Sequence, residues 1–460
     1  MALTTSSPRP TGRRLRVAVI GSGISGLSCA WLLSHAHDVT VYEQDDRIGG
    51  HSNTVVVPTP EGPVPVDTGF IVYNTLNYPN LTALLAHLEV PTYGTDMSFG
   101  VSIGGGRVEY GGSGLAALFA QKRNLARPRF WSMLRDLMRF YRTAPALLND
   151  PAAEGLSLGD YLDREGYGEA FLYDHLLPMG AAIWSTAVED MRAHPATAFI
   201  RFCDNHGLLK LAGRPQWRTV VGGSREYVAR LTGRYADRIR VGVGARAITR
   251  LGGAVLVEGS DGSIEAFDEV VLAVHGDQAL PLLADPTAEE QELLGAFRYQ
   301  PNTAWLHTDP TLMPRRKAVW SSWNYLSTGR DGRDAVCVTY WMNKLQPLAT
   351  RTDLFVTLNP ETPPRDEAVL RRIDYAHPLF DAAAVAAQKR LWSLQGSRNT
   401  WFCGAWFGAG FHEDGLQAGL AVAEALGGVR RPWSVPGESA RIFLNPGVGA
   451  GVAARPELAA

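Results

Sequence analysis

Residues 16–34, RVAVIGSGISGLSCAWLLS, run from a short apolar stretch through three glycines into a second apolar stretch, and their order decides the fold. Val17, Ala18, Val19 and Ile20 suit a strand buried on both faces. Leu27, Ala30, Trp31 and Leu33 give the following helix a side that packs back onto it. Gly21 permits the tight turn, Gly23 lacks the Cβ that would hold a pyrophosphate off the backbone, and Gly26 lets the helix sit close to the strand. The backbone around Ser22, Ile24 and Ser25, with the positive end of the helix dipole, then faces the phosphates.

The next strand, 38–42, ends in Glu43 and Gln44. A carboxylate there accepts hydrogen bonds from both ribose hydroxyls and disfavours a 2′-phosphate, which argues against NADP. Residues 46–52, DRIGGHS, add Arg47, Gly49, Gly50, His51 and Ser52, a basic residue and backbone amides returning to the pyrophosphate. The joint pattern resembles the DRxGG extension of two-dinucleotide-binding-domain flavoproteins, which implies FAD rather than NAD.

The 460 residues suffice for two or three domains, and 45% apolar with 20% charged residues is usual for a globular protein. A net charge of −2 supplies no basic field for nucleic acid. Cys29, Cys203, Cys337 and Cys403 lack CxxC spacing and sit in apolar stretches, which suits reduced buried thiols in a cytoplasmic protein and no metal site. Arg13-Arg14 before an apolar run superficially resembles a twin-arginine export signal. That run is the nucleotide clamp itself, so residues 1–14 read as a flexible tail. No apolar stretch approaches the roughly 18 residues that span a bilayer.

Residues 64–74, VPVDTGFIVYN, alternate like a strand and break at Asp67-Thr68-Gly69. The segment resembles one in the amine oxidase superfamily that passes beside the flavin. The resemblance implies that Gly69 and Phe70 line the isoalloxazine, with Tyr73 and Asn74 on the substrate side; a plain turn is the alternative. Residues 79–90 read as a helix, and from 76 to 214 the chain reads as an insertion. Within it Phe130, Leu134, Leu137, Met138 and Tyr141 form one stripe and Arg135, Arg139 and Arg142 another, after Lys122, Arg123, Arg127 and Arg129. Residues 122–142 with Trp131 suit peripheral contact with an anionic membrane, at the inner face for a cytoplasmic protein, or a core helix with a solvated arginine face. Residues 175–186 suit the wall of an apolar cavity or a buried helix end.

Residues 216–229 carry a second glycine pair, similar to the segment where amine oxidases and carotenoid desaturases re-enter the FAD domain, and Ala245 stands where those families hold the adenine. Tryptophan-rich strands follow at 318–325 and 335–342. Residues 400–426 read as strand, glycine loop and helix; the resemblance places Gly404 beside the ribityl chain and Gly415, Leu416 and Gln417 at the flavin. The acid usual after the first glycine is replaced by Ala405. The expected fold is α/β: a discontinuous Rossmann-like FAD domain from 15–75, 215–285 and 395–428, an α+β substrate domain from 76–214 and 286–394, and a C-terminal tail, 429–460.

The chain is most similar to bacterial amine-oxidase-like NAD/FAD-binding proteins found alongside cyclopropane fatty acid synthases, through VDTGFIVYN, LHTD (306–309) with Met313-Pro314, SSWNY (321–325) and GFHEDGL (410–416). That resemblance implies a lipid acyl substrate and a lipid-modifying partner enzyme. Candidates for proton handling are His412, Glu413 and Asp414, with Tyr73 nearby. A histidine between two carboxylates is expected to have a raised pKa; the alternative is a helix cap in which Asp414 satisfies orphan N–H groups and His412 faces solvent. The lysine that amine oxidases place at the flavin has no counterpart in 298–309. Four readings follow: a flavin-dependent dehydrogenase or desaturase of an acyl chain, a double-bond isomerase of such a chain, an amine oxidase, and a non-catalytic flavin-binding partner.

Overall fold

The computed structural model describes residues 13–444 except 154, 185–187, 189, 211–212 and 330–336. Most of the expected N-terminal tail, the end of the 175–186 stretch and residues 445–460 lie outside the described residues.

The first unit is built on a five-stranded parallel sheet in the order Ile239–Val241, Asp38–Glu43, Arg16–Ile20, Glu269–Leu272 and Thr400–Phe402. Its central strand is fully buried from Val17 to Val19, as a parallel strand covered on both faces requires. A meander, Ala245–Leu251, Ala254–Gly259 and Ile264–Phe267, packs on it through Phe267 against Tyr42. The helices Ile24–Leu33 and His412–Leu426 cross backbone on backbone. A Cβ on Gly419 would lie 2.2 Å from the Ser25 carbonyl oxygen, and one on Gly415 would lie 2.8 Å from Ser25 Oγ. Both helix starts therefore stand side by side.

The second unit is a seven-stranded sheet in the order Val369–Leu379, Arg298–His307, Phe355–Leu358, Cys337–Trp341, Trp323–Leu326, Phe99–Ile103 and Val108–Gly111. A helical layer with its own core of Phe130, Met133, Phe140, Phe171 and Phe199 packs against Val101, Tyr325 and Val338 of this sheet.

Several expected boundaries move. The helix Pro79–His87 puts Leu81, Leu84 and Leu85 into the first core, so the chain leaves that unit after 76. Leu293 and Leu294 at one end of the 286–394 segment, and Ala384, Leu391 and Trp392 at the other, also pack there. The C-terminal stretch is anchored as far as it is described. Trp433 stacks on Trp31 with centroids 5.9 Å apart, and the fully buried Arg431 side chain binds Glu424, Asn80 Oδ1 (3.0 Å) and the Glu438 carbonyl (2.9 Å). All four cysteines are free and buried.

The basic helix Pro128–Thr143 buries Phe130, Met133, Asp136 and Phe140, whereas Met138 of the expected stripe is 47% exposed. Its phase is set by what it meets: Phe140 packs on Phe171 and Tyr167, and Asp136 Oδ2 accepts from the Gly168 N–H at 3.0 Å. No described helix is long and apolar enough to cross a membrane.

Candidate functional site

The glycine turn shows why each glycine is needed. At Gly21 (φ +100°) a Cβ would lie 2.8 Å from the Ala273 carbonyl oxygen, and at Gly26 a Cβ would lie 2.0 Å from that of Gly21. At Gly23 it would meet nothing within 4 Å, and no side chain caps the helix that starts there. Open space beside uncapped N–H groups is what a pyrophosphate fits. Gly49 N–H donates to the Ser22 carbonyl (3.0 Å), and a Cβ on Gly50 would lie 3.1 Å from Gly23 Cα, so the DRIGGHS segment closes over the turn.

Glu43 is buried, with Oε2 accepting from the Ser22 N–H (3.0 Å) and hydroxyl and Oε1 from the Asp45 N–H (2.8 Å). These bonds hold the carboxylate at the sheet's C-terminal edge. Val243 N–H donates to the Glu43 carbonyl, and Gly244 abuts Gln44, which sets Glu43, Gln44 and Ala245 together at one end of the groove. Arg47 donates to the Gly50 carbonyl (2.7 Å) and, with Ile48, Ser52, Asn53 and Arg225, lines a recess of about 480 Å³. Gly404 gives room to Trp406, whose Nε1 donates to the Val274 carbonyl (3.1 Å).

At the other end a Cβ on Gly69 would lie 2.3 Å from the His51 carbonyl oxygen, which accepts from the Phe70 N–H at 2.7 Å. Phe70 stacks on His412 with centroids 3.8 Å apart and planes 10° from parallel. His412 Nε2 lies 2.7 Å from Tyr227 Oη, which also bonds Ser52 Oγ. Ser52, Tyr227 and His412 thus form a hydrogen-bonded chain ending at the ring that Phe70 covers. Tyr73 lies in the first core, 6.3 Å ring to ring from Tyr78, and Asn74 Nδ2 is buried without a hydrogen-bond partner.

The expected raised pKa of His412 is corrected: burial pushes it down to about 3. The flanking carboxylates point elsewhere, because successive helical residues project about 100° apart. Glu413 accepts from the Asn80 N–H (3.0 Å) and Nδ2 (2.8 Å), the Leu81 N–H (3.0 Å) and Gln417 Nε2 (3.1 Å), capping the start of the helix Pro79–His87. Asp414 accepts from the Phe411 N–H at its own helix start (2.7 Å) and binds Arg441. Burial raises both carboxyls. Gln417 Oε1 also accepts from the Arg441 N–H (3.1 Å), and Leu416 is fully buried in the core. Glu413→Gln turns a donor toward those N–H groups, so urea unfolding should show a loss of about 1–3 kcal/mol. Turnover per bound flavin is expected to hold; a fall with unchanged stability would return Glu413 to the chemistry.

Reading the sequence missed four further members of this end, gathered around His51. His51 stacks on Tyr375 at 4.7 Å and lies 5.4 Å from His377 and 6.3 Å from His275, which itself stacks on Tyr299 at 4.5 Å. Tyr375 and His377 share one face of the strand Val369–Leu379, opposite Asn302 and Gln300. Their i, i+2 spacing was the available signal. Burial lowers the pKa of His51, His275 and His377, the last to about 4, and His51 Nε2 has no hydrogen-bond partner. No group among the described residues is arranged to hold a metal. Burial thus disfavours the charged form of all four imidazoles.

A family model described as flavin containing amine oxidoreductase matches residues 24–411. Among solved structures, putrescine oxidase is 15% identical with a TM-score of 0.63, over 90% of this chain and 99% of that one. Cyclohexylamine oxidase from Brevibacterium oxydans is 15% identical with a TM-score of 0.62, over 90% and 100%. The CLA-producing fatty acid isomerase from P. acnes is 16% identical with a TM-score of 0.59, over 89% and 97%. An L-amino-acid oxidase from Bothrops jararacussu is 46% identical over 52 residues, 11% of this chain and only 9% of that relative's length. The chain belongs to the flavin-containing amine oxidoreductase family, and its cofactor is FAD.

Proposed function

We propose that this FAD-dependent oxidoreductase dehydrogenates a fatty acyl chain, as in a phospholipid. The observation that carries the reading is the burial of the flavin-end wall. Burial disfavours charge on His51, His275, His377 and His412, Glu413 and Asp414 are engaged by backbone and arginine, and 298–309 contains no lysine. An ammonium group would lose hydration there without an ionic partner, whereas a methylene group has no such hydration to lose.

When bound, FAD would supply the acceptor for the hydride, one hydrogen with its electron pair, that leaves one carbon. The groove residues Gly23, Glu43, Gln44, Gly50 and Ala245 hold the dinucleotide, and Phe70 and Tyr375 help to wall off water. His412 takes the proton from the adjacent carbon, and Tyr227 and Ser52 fix its ring. A proton leaving beside an electron-deficient carbon is acidic enough for a weakly basic imidazole. The C–H pair becomes a double bond, and a separate electron acceptor restores the protein.

A second reading, isomerisation of a double bond in the same kind of chain, draws support from the likeness to the fatty acid isomerase and requires no external acceptor. Anaerobic addition of phospholipid extract, read by visible flavin absorbance and product analysis, separates the two. Lasting bleaching with a new double bond is expected. A moved double bond without bleaching would favour the isomerase, and hydrogen peroxide released from simple amines in air would overturn both.

A further inference from the structure

We infer that the protein docks on an anionic phospholipid surface through the outward face of the basic helix Pro128–Thr143. Trp131, Arg135, Met138 and Arg142 stand at i, i+4, i+7 and i+11, all exposed, with Trp131 at 48% and Met138 at 47%. Leu125, 52% exposed, continues the face, since Trp131 Nε1 donates to its carbonyl oxygen at 2.9 Å. Phe119 packs on Trp131 with centroids 5.7 Å apart, and one turn before it stands Leu115, 76% exposed. These apolar side chains stand interspersed with the exposed Arg135 and Arg142.

The charge is of one sign. Residues 107–143 contain eight lysines and arginines and two acids, Glu109 and Asp136. Both acids are buried and engaged: Glu109 binds Arg316, and Asp136 accepts from the Gly168 N–H and Arg135. Arg129 is paired with the buried Asp174. Arg135, Arg139, Arg142, Met138, Asp136 and Gly166 line a groove of about 500 Å³. The Arg139 guanidinium lies over the Tyr167 ring at 3.9 Å, and its Nε and one terminal nitrogen are buried without hydrogen-bond partners. Buried guanidinium N–H groups call for anionic oxygens.

Cations interleaved with a tryptophan and flexible aliphatic side chains match the headgroup level of a bilayer: the arginines meet phosphates while Trp131, Met138 and Leu125 enter the acyl boundary. A soluble polyanion would use the cations and leave the apolar groups in water. The inference stands apart from the reaction proposed above, since it rests on the outside of the helical layer.

Because the four native cysteines are buried, Met138→Cys accepts an environment-sensitive thiol label at one exposed site. With the flavin-loaded protein, vesicles of phosphatidylcholine plus phosphatidylglycerol should shift the label's emission to the blue, and raised salt should reverse the shift. Binding measured by flotation should fall at least about tenfold when Arg135, Arg139 and Arg142 are all changed to Gln. It should also fall with Trp131→Ser, while flavin absorbance and melting temperature stay unchanged. Equal binding to pure phosphatidylcholine, or no blue shift with the anionic vesicles, would overturn the inference. So would heparin binding as tight as vesicle binding and indifferent to Trp131→Ser, which would assign the face to an acidic macromolecule.

Discussion

Asp67→Ala is expected to cost about 3–5 kcal/mol of stability in urea unfolding and to weaken flavin retention. Asp67 is buried and has no cationic partner among the described residues, yet it ties three parts of the chain together. It accepts from Thr54 Oγ1 (2.6 Å), from the Ser224 N–H (2.9 Å) and hydroxyl (2.8 Å) where the helix Arg225–Thr232 begins, and from Gln346 Nε2 (2.8 Å) of the second unit. Alanine would leave these donors facing nothing and would release the turn that carries Gly69 and Phe70. Burial raises the carboxyl to about 6 against the pull of those hydrogen bonds. A raised folded pKa adds stability that is full below the unfolded value and lost as pH rises through the folded one. The gap between the native protein and Asp67→Ala should therefore widen as pH falls from about 7 to about 5. A loss under about 1 kcal/mol, or a gap that narrows, would sink this account.

Asp67 also marks what the sequence makes legible. The opening turn can be read because much of its demand lies in its own backbone: Gly21 sits at φ +100°, and a Cβ on Gly26 would lie 2.0 Å from the Gly21 carbonyl oxygen. Glu43 and the Arg47-x-Gly-Gly segment are read for the same reason. Long-range partners are not. Tyr375 and His377 reach His51 from the strand Val369–Leu379, while Tyr299 of its partner strand stacks on His275, so this cluster depends on a pairing between distant segments. Proximity in sequence misled at 412–414, where one helical turn sends His412 to Tyr227, Glu413 to Asn80 and Asp414 to Arg441. The phase of the basic helix was likewise chosen by Phe171, Tyr167 and Gly168, which no periodicity within 130–141 contains.

His412→Ala should retain FAD and slow the anaerobic reductive step by about 10²–10⁴, the usual range for a positioned proton acceptor. The ring is held on both sides: Phe70 stacks at 3.8 Å and Tyr227 Oη lies 2.7 Å from Nε2, with Ser52 behind it. Tyr227→Phe should produce a smaller loss, since it frees the ring without removing it. The pH profile separates this role from a structural one. A folded pKa pushed down to about 3 keeps His412 in its accepting form throughout the working range, so the native step should be flat from about pH 5 to 8, without a histidine limb near 6.5. Protonation removes the acceptor only as pH falls toward 3. A limb near 6–7 in the native protein that disappears in His412→Ala would mean that the imidazole titrates normally at the site, contrary to the buried geometry. An unchanged rate in His412→Ala would remove it from the reaction and leave Phe70 and the buried wall to act by exclusion of water alone.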